Sequence, residues 1–252
     1  MCYNLKLRNN GPIPGNRLWY SAAPKTGSQA VRKLIDVYLS HRLAVAGPGW
    51  HVPADQIPRF PHFSMHKDLI FGTIRNPYKV HISNFLYQQE QFDEKIEYFG
   101  REREYEEKYE HRKVLSDSDN FRNACLHVRS KLLKDFESYI HAIEAYNTHT
   151  LYKSGMRTLK LLPLDKYNTH LSFLFTMDNF YNPRDSRIYL VPVDKPGYVE
   201  GFFRDLFDIE VDFEQVNTTG HGDKYREWYT PKLQSIVERI EQPIIYMGKY
   251  KF

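Results

Sequence analysis

The chain has 252 residues, 41% hydrophobic and 26% charged, with a formal charge of +4 at pH 7, which suits one domain with a full core, or one domain with a lobe, and a globular rather than a disordered chain. That mild positive excess fits an anionic ligand or polymer and falls short of what a nucleic-acid-binding protein carries. Two cysteines, Cys2 and Cys125, exclude a disulfide framework, and there is no run of about 18 apolar residues for a membrane span and no apolar signal core in residues 1–16, so a cytoplasmic, reducing setting is expected.

Residues 1–17 read as a loose lead-in with Gly11, Pro12, Pro14 and Gly15. The apolar and aromatic run from Leu18 reads as a buried strand, Pro24-Lys25-Thr26-Gly27-Ser28-Gln29 as a tight turn, and the segment from Ala30 as a helix with Val31, Leu34, Ile35, Tyr38 and Leu39 on one face. Strand and helix together cover roughly 17–42. A strand, a small-residue turn and a helix present free backbone N–H groups and the positive end of a helix dipole to an anion. Lys25 adds a full charge, and Thr26 and Ser28 add hydroxyls. The lysine precedes the glycine, so this is not the G-x-x-x-x-G-K-[ST] loop of nucleotide triphosphatases. A helix start capped by Ser28, with Lys25 solvated, accounts for the segment equally well.

Residues 46–61 are loop-rich, carrying Gly47, Pro48, Gly49, Pro53, Pro58 and Pro61. Leu69–Ile74 is a second buried strand, and Pro77 opens a helix in a first-turn position that tolerates proline. Residues 90–113, dense in charges of both signs, read as a solvated helical excursion with Phe92, Ile96 and Phe99 at helical spacing. Residues 116–146 form the clearest amphipathic helix, capped by Asp117 or Ser118 and lined by Phe121, Cys125, Val128, Leu132, Phe136, Ile140 and Ile143; Cys125 belongs to the core there rather than to catalysis. Short strands are expected at 159–162, 171–175 and 188–191, and helices at 197–206 and 224–240. Alternating strands and helices predict a single α/β domain over 1–252, a central, mainly parallel sheet flanked by helices, with about 90–150 a helical excursion within it. Such sheets bind ligands at the carboxyl ends of their strands, where both Pro24–Gln29 and Arg75 fall. Arg75 leaves the second strand and Ser83 stands about two turns along the next helix, an arginine fork and a hydroxyl suited to one phosphate.

With a strand before each of Pro24-Lys25-Thr26-Gly27-Ser28 and Arg75-Asn76-Pro77-Tyr78, and Ser83 eight residues after Arg75, the chain resembles the sulfotransferases that use 3′-phosphoadenosine 5′-phosphosulfate (PAPS). Val216-Asn217-Thr218-Thr219, Tyr225–Pro231 and Tyr246–Tyr250 resemble the carbohydrate sulfotransferases in particular. The resemblance covers the first third and the C-terminal end, and leaves residues from about 90 to 185 unassigned. Two positions depart from the pattern. Gln242-Pro243 stand where an acidic residue is common, and Lys79-Val80 stand where Asp or Glu followed by Arg is usual.

The resemblance implies a P-loop-like sulfotransferase fold and in-line transfer of a sulfuryl group from PAPS to an acceptor hydroxyl, on a carbohydrate. Pro24, Lys25, Thr26, Gly27, Ser28 and Gln29 would hold the 5′-phosphosulfate, Arg75 and Ser83 the 3′-phosphate, and Lys25 would stabilise the leaving phosphate oxygen. For the base, a histidine suits the acceptor hydroxyl. His51 leads, with His62 and His66 next, while His81 faces outward or toward the cofactor; Asp55 and Glu90 are auxiliary candidates. Leu171–Leu174 would pass near the adenosine. No metal is expected, because the histidines lack the H-x-x-x-H and H-E-x-x-H spacings. Two other readings stay open: a nucleotide or small-molecule kinase with an atypical phosphate loop, and a non-catalytic glycan-binding module on the same fold.

Overall fold

The computed structural model of the chain describes residues 18–39, 43–44, 54–59, 63–64, 68–100, 118–148, 174–181, 188–213 and 222–252. Residues 1–80 and 176–252 make one compact unit, and residues 81–175 a second.

The first unit holds the sheet. Its strands β1 (Leu18–Ser21), β2 (Leu43–Ala44), β3 (Leu69–Ile74) and β4 (Ile188–Pro192) are all parallel, in the order β2-β1-β3-β4. Leu18 pairs with Leu43 and Leu69, and Ile70 pairs with Ile188, so β1 and β3 are the central strands. Strands covered on both faces read as continuous apolar runs, which is why Leu18–Ser21 and Leu69–Ile74 were legible in the sequence. The two-residue β2 carries too little pattern to be read.

One face of the sheet presents Leu18, Tyr20, Phe71 and Val191 to helices α1 (Ser28–Tyr38) and, later in the chain, Tyr198–Phe207. Val31 and Ile35 come from the first helix, and Val199, Phe202, Phe203, Leu206 and Phe207 from the second. Tyr20 stacks on Phe71 at 4.6 Å, and Phe71 on Phe202 at 5.1 Å. Ile57, in a 3-10 turn over Ala54–Arg59, is fully buried. A short helix over Met177–Tyr181 brings Tyr181 against Gly72 of β3. Its first two N–H groups, those of Met177 and Asp178, donate to the two oxygens of Glu241 at 2.9 and 3.2 Å. Glu241 is fully buried and immediately precedes Gln242-Pro243.

Helix α2 (Pro77–Gly100) starts in the first unit and runs into the second. Asn76 begins it: its Oδ1 accepts the Tyr78 N–H at 3.0 Å and its carbonyl accepts from Val80. An asparagine cap followed by proline at the first helical position is a strong helix-start signal. The excursion expected from residue 90 continues this helix as far as Gly100, and its remainder lies outside the described residues.

The second unit corrects one expectation. The amphipathic segment 116–146 is two helices, α3 (Ser118–Lys131) and α4 (Phe136–Thr148). The Leu132 and Leu133 N–H groups both donate to Val128, and Leu133 rather than Leu132 is fully buried, so the apolar register slips by one at the break. Asp135 then caps α4, its Oδ1 accepting the Ser138 N–H at 2.7 Å. Cys125 lies fully buried in this unit as a free thiol, as expected of a core residue, and burial pushes its pKa up to about 11.

At the C-terminus, the single helix expected over 224–240 is a 3-10 turn (Gly222–Trp228) followed by a helix over Pro231–Ile240. Thr230 caps the latter, accepting from Leu233 at 3.3 Å, and Pro231 fixes its first residue, so the chain must break before them. A last helix spans Gln242–Gly248. The strand expected at 159–162 lies outside the described residues, as do residues 171–173 of the one expected at 171–175, whose Leu174 and Phe175 are not in a strand.

Candidate functional site

The sheet order places β1 and β3 side by side, with the chain leaving β1 toward β2 on one side and reaching β3 on the other. That reversal makes a topological switch point at the carboxyl ends of β1 and β3, the place where parallel α/β sheets bind ligands. Three segments meet there: Ala22–Gly27 after β1, Arg75-Asn76 after β3, and Val193–Gly197 after β4.

The first segment turns sharply into α1. Lys25 and Gly27 both have left-handed backbone, with φ of 63° and 72°. Gly27 is the N-cap of α1, and a Cβ on it would meet Val193 Cγ2 at 3.0 Å. Glycine therefore serves both the φ and the close approach of the β4 turn. No side chain caps the helix, so the Ser28 cap considered from the sequence is not the arrangement adopted. The first N–H groups of a helix have no partner within it, and they carry its positive dipole end.

A chain of buried hydroxyls holds this loop. Thr26 Oγ1 donates to the Ala23 carbonyl at 2.8 Å and lies 2.9 Å from Thr73 Oγ1, itself 3.2 Å from the Tyr20 hydroxyl. The Tyr181 hydroxyl donates to the Thr73 carbonyl at 2.6 Å and accepts the Ala23 N–H at 2.9 Å. Thr26 is thus fully buried with its hydroxyl committed to the fold, and it has only its backbone to offer a ligand. Burial drives the Tyr20 pKa far up, with the Tyr181 hydroxyl adding to the shift, and raises Tyr181 to about 12 against its several hydrogen bonds. Both remain neutral donors throughout the physiological range.

Arg75 follows β3 directly and is only 8% exposed, and its Nε is buried with no hydrogen-bond partner. Burial lowers its pKa, while Asp194 and Tyr250 act against that shift. A guanidinium keeps its charge under such conditions, and a buried unpaired donor costs stability unless a ligand meets it. In the β4 turn, Asp194 accepts the Asn76 N–H at 2.7 Å, and Val193 donates to the Ile74 carbonyl at 2.9 Å, tying the second and third segments together.

Of the residues singled out from the sequence, Pro24–Gln29 and Arg75 gather at this one sheet edge. Ser83 is buried on α2, on the part of that helix that belongs to the second unit. His81 is also buried there, its ring 6.5 Å from that of Tyr139, so of the two expected orientations the outward one is not adopted. His51, His62 and His66 lie outside the described residues, as do residues 171–173 and the side chain of Asp55. Glu90 is exposed on α2. Sequence reasoning missed Thr73, Tyr181, Asp194 and Tyr250. For Asp194 a signal existed: Val193-Asp194-Lys195-Pro196-Gly197 is a turn after a buried strand, on the same edge as the two recognised motifs.

No family model, no curated protein and no solved structure matches the chain.

Among the described residues there is no cluster of histidine, cysteine or carboxylate side chains that suits a metal ion, and no helix is long and apolar enough to cross a membrane. What the edge offers chemically is anion binding by backbone N–H groups, a lysine, and a buried arginine.

Proposed function

We propose that the chain is a sulfotransferase of P-loop-like fold that takes a sulfuryl group from PAPS and passes it to an acceptor hydroxyl on a carbohydrate. The observation that carries this reading is the pairing, at one switch point of a parallel sheet, of the Pro24–Gln29 turn with Arg75, whose buried Nε has no partner. Two separate cationic anchors suit a nucleotide phosphorylated at two positions better than one carrying a single phosphate chain. An orphaned guanidinium donor beside a helix N-terminus is the feature a second phosphate fits.

The nucleotide supplies the activated sulfuryl group. The chain's own residues bind and orient it. Backbone N–H groups from Thr26 to Gln29, with Pro24 and Gly27 shaping the turn, hold the 5′-phosphate. Arg75, with its buried and unpartnered Nε, holds the 3′-phosphate. Lys25, on a left-handed residue of the turn, neutralises charge on the leaving phosphate oxygen, where positioned cations matter most. His51 takes the proton of the acceptor hydroxyl. The positive net charge and the 15% aromatic content agree with an acidic glycan acceptor, through attraction and sugar stacking.

Incubation with labelled PAPS and a panel of glycans, lipids and small phenols tests the reading. Label is expected on a glycan, and His51→Ala should abolish its transfer while leaving nucleotide binding intact. Transfer of the γ-phosphate of ATP instead of sulfate would establish the kinase reading. Glycan binding without transfer from either donor would establish the binding module.

A further inference from the structure

Asp194 links three groups at the carboxyl edge of the sheet. Its Oδ2 accepts the Asn76 backbone N–H at 2.7 Å, and its Oδ1 accepts the Tyr250 hydroxyl at 2.7 Å. Its charge favours the cationic form of Arg75, yet Arg75 makes no ion pair among the described residues and its Nε stays unpartnered. A carboxylate that gripped the guanidinium directly would occupy the donors a phosphate needs. Held by Asn76 and Tyr250 instead, Asp194 supplies attraction without consuming those donors. It also anchors the backbone of the residue immediately after Arg75.

Tyr250 is itself firmly seated. It is 9% exposed, its ring packs so close to Gly248 that a Cβ there would overlap it, and the Lys195 Nζ sits 5.1 Å from its centroid. Burial and the adjacent Asp194 charge raise its pKa well above the ordinary value, so its hydroxyl remains a donor to that carboxylate. The chain's final residue secures the same tail, since Phe252 packs edge-on to Tyr78 at 4.9 Å, within the first turn of α2.

From this geometry we propose that Asp194 and Tyr250 are positioning residues that fix Arg75 and set the preference of the site for a nucleotide bearing a 3′-phosphate. The proposal rests on the sulfuryl-donor reading, and its test separates the two. Calorimetry on the full chain compares 3′-phosphoadenosine 5′-phosphate (PAP) with AMP for the wild type, Tyr250→Phe and Asp194→Ala. Tyr250→Phe should weaken PAP binding about threefold to tenfold and Asp194→Ala about tenfold or more, on the scale of one or two hydrogen bonds, with AMP affinity unchanged. The KM for PAPS should rise in both with little change in kcat. Should Asp194→Ala fail to fold, Tyr250→Phe carries the test, since it keeps the ring and the carboxylate. An equal loss of PAP and AMP binding, or tighter PAP binding in Asp194→Ala, overturns the proposal. A wild type that prefers PAP, with that preference undiminished in both variants, overturns it alone. A wild type with no preference for PAP over AMP overturns the donor reading and this inference with it.

Discussion

At the scale of single residues, the two cations of the sheet edge separate by what surrounds them. Arg75 is buried with an unsatisfied donor, which suits ground-state grip; Arg75→Ala should therefore cost roughly 2–4 kcal/mol of PAP binding, the scale of a charge-assisted bidentate contact. Calorimetry reads this directly. Lys25 sits in the turn itself, with φ of 63°, and in the proposed transfer it would meet charge that grows on the leaving oxygen. Lys25→Ala should lower kcat by about 10²–10³-fold while changing PAP affinity far less. Thr73 belongs to neither group. Its hydroxyl joins those of Thr26 and Tyr20 at 2.9 and 3.2 Å, so Thr73→Val leaves buried polar groups short of a partner and should cost about 1–3 kcal/mol of stability in a denaturant titration. Lys25 and Arg75 were legible because each stands in a contiguous motif behind an apolar strand. Asp194 offered only its place in a turn after a buried strand and Tyr250 offered nothing, because their contact joins segments 56 positions apart.

At the scale of elements, sequence periodicity located the helices and missed their breaks. The apolar spacing of 116–146 is continuous to the eye, yet the slip from Leu132 to Leu133 and the Asp135 cap end one helix and start another. Aspartate three residues before Ser138 was the available signal, and it was hidden by the apolar stripe around it. The Ser138 N–H holds the Asp135 pKa below its ordinary value. A carboxylate with a depressed folded-state pKa stabilises the fold above its unfolded value, and that contribution is lost as pH falls through the folded value. Asp135→Ala should therefore lower stability by about 1 kcal/mol near neutral pH, and the difference from wild type should shrink in acid. On the sheet, Gly72 is the seat of the Tyr181 ring, and a Cβ there would come within 2.3 Å of it. Gly72→Ala should push that ring away from its bonds to Ala23 and Thr73, at a cost of about 1–3 kcal/mol or more in thermal or denaturant unfolding.

At the scale of the molecule, the α/β class followed from alternating strand and helix patterns, while the strand order did not. Parallel pairing joins residues far apart in the chain: β3 and β4 meet across more than a hundred intervening positions, and β2 has two residues. The same sheet buries Tyr181, whose pKa is raised to about 12 from 10.0. A group with a raised folded-state pKa contributes stability that is complete below its unfolded value and is lost as pH rises through the folded one. Thermal unfolding midpoints should therefore fall between pH 10 and 12, and that fall should be shallower in Tyr181→Phe.

Calorimetry of the wild type with PAP against ATP and Mg²⁺ decides whether this edge holds a nucleotide phosphorylated at both ends. Tight binding of PAP with weak or absent binding of ATP is the predicted result. Preference for ATP in the presence of Mg²⁺ would contradict it.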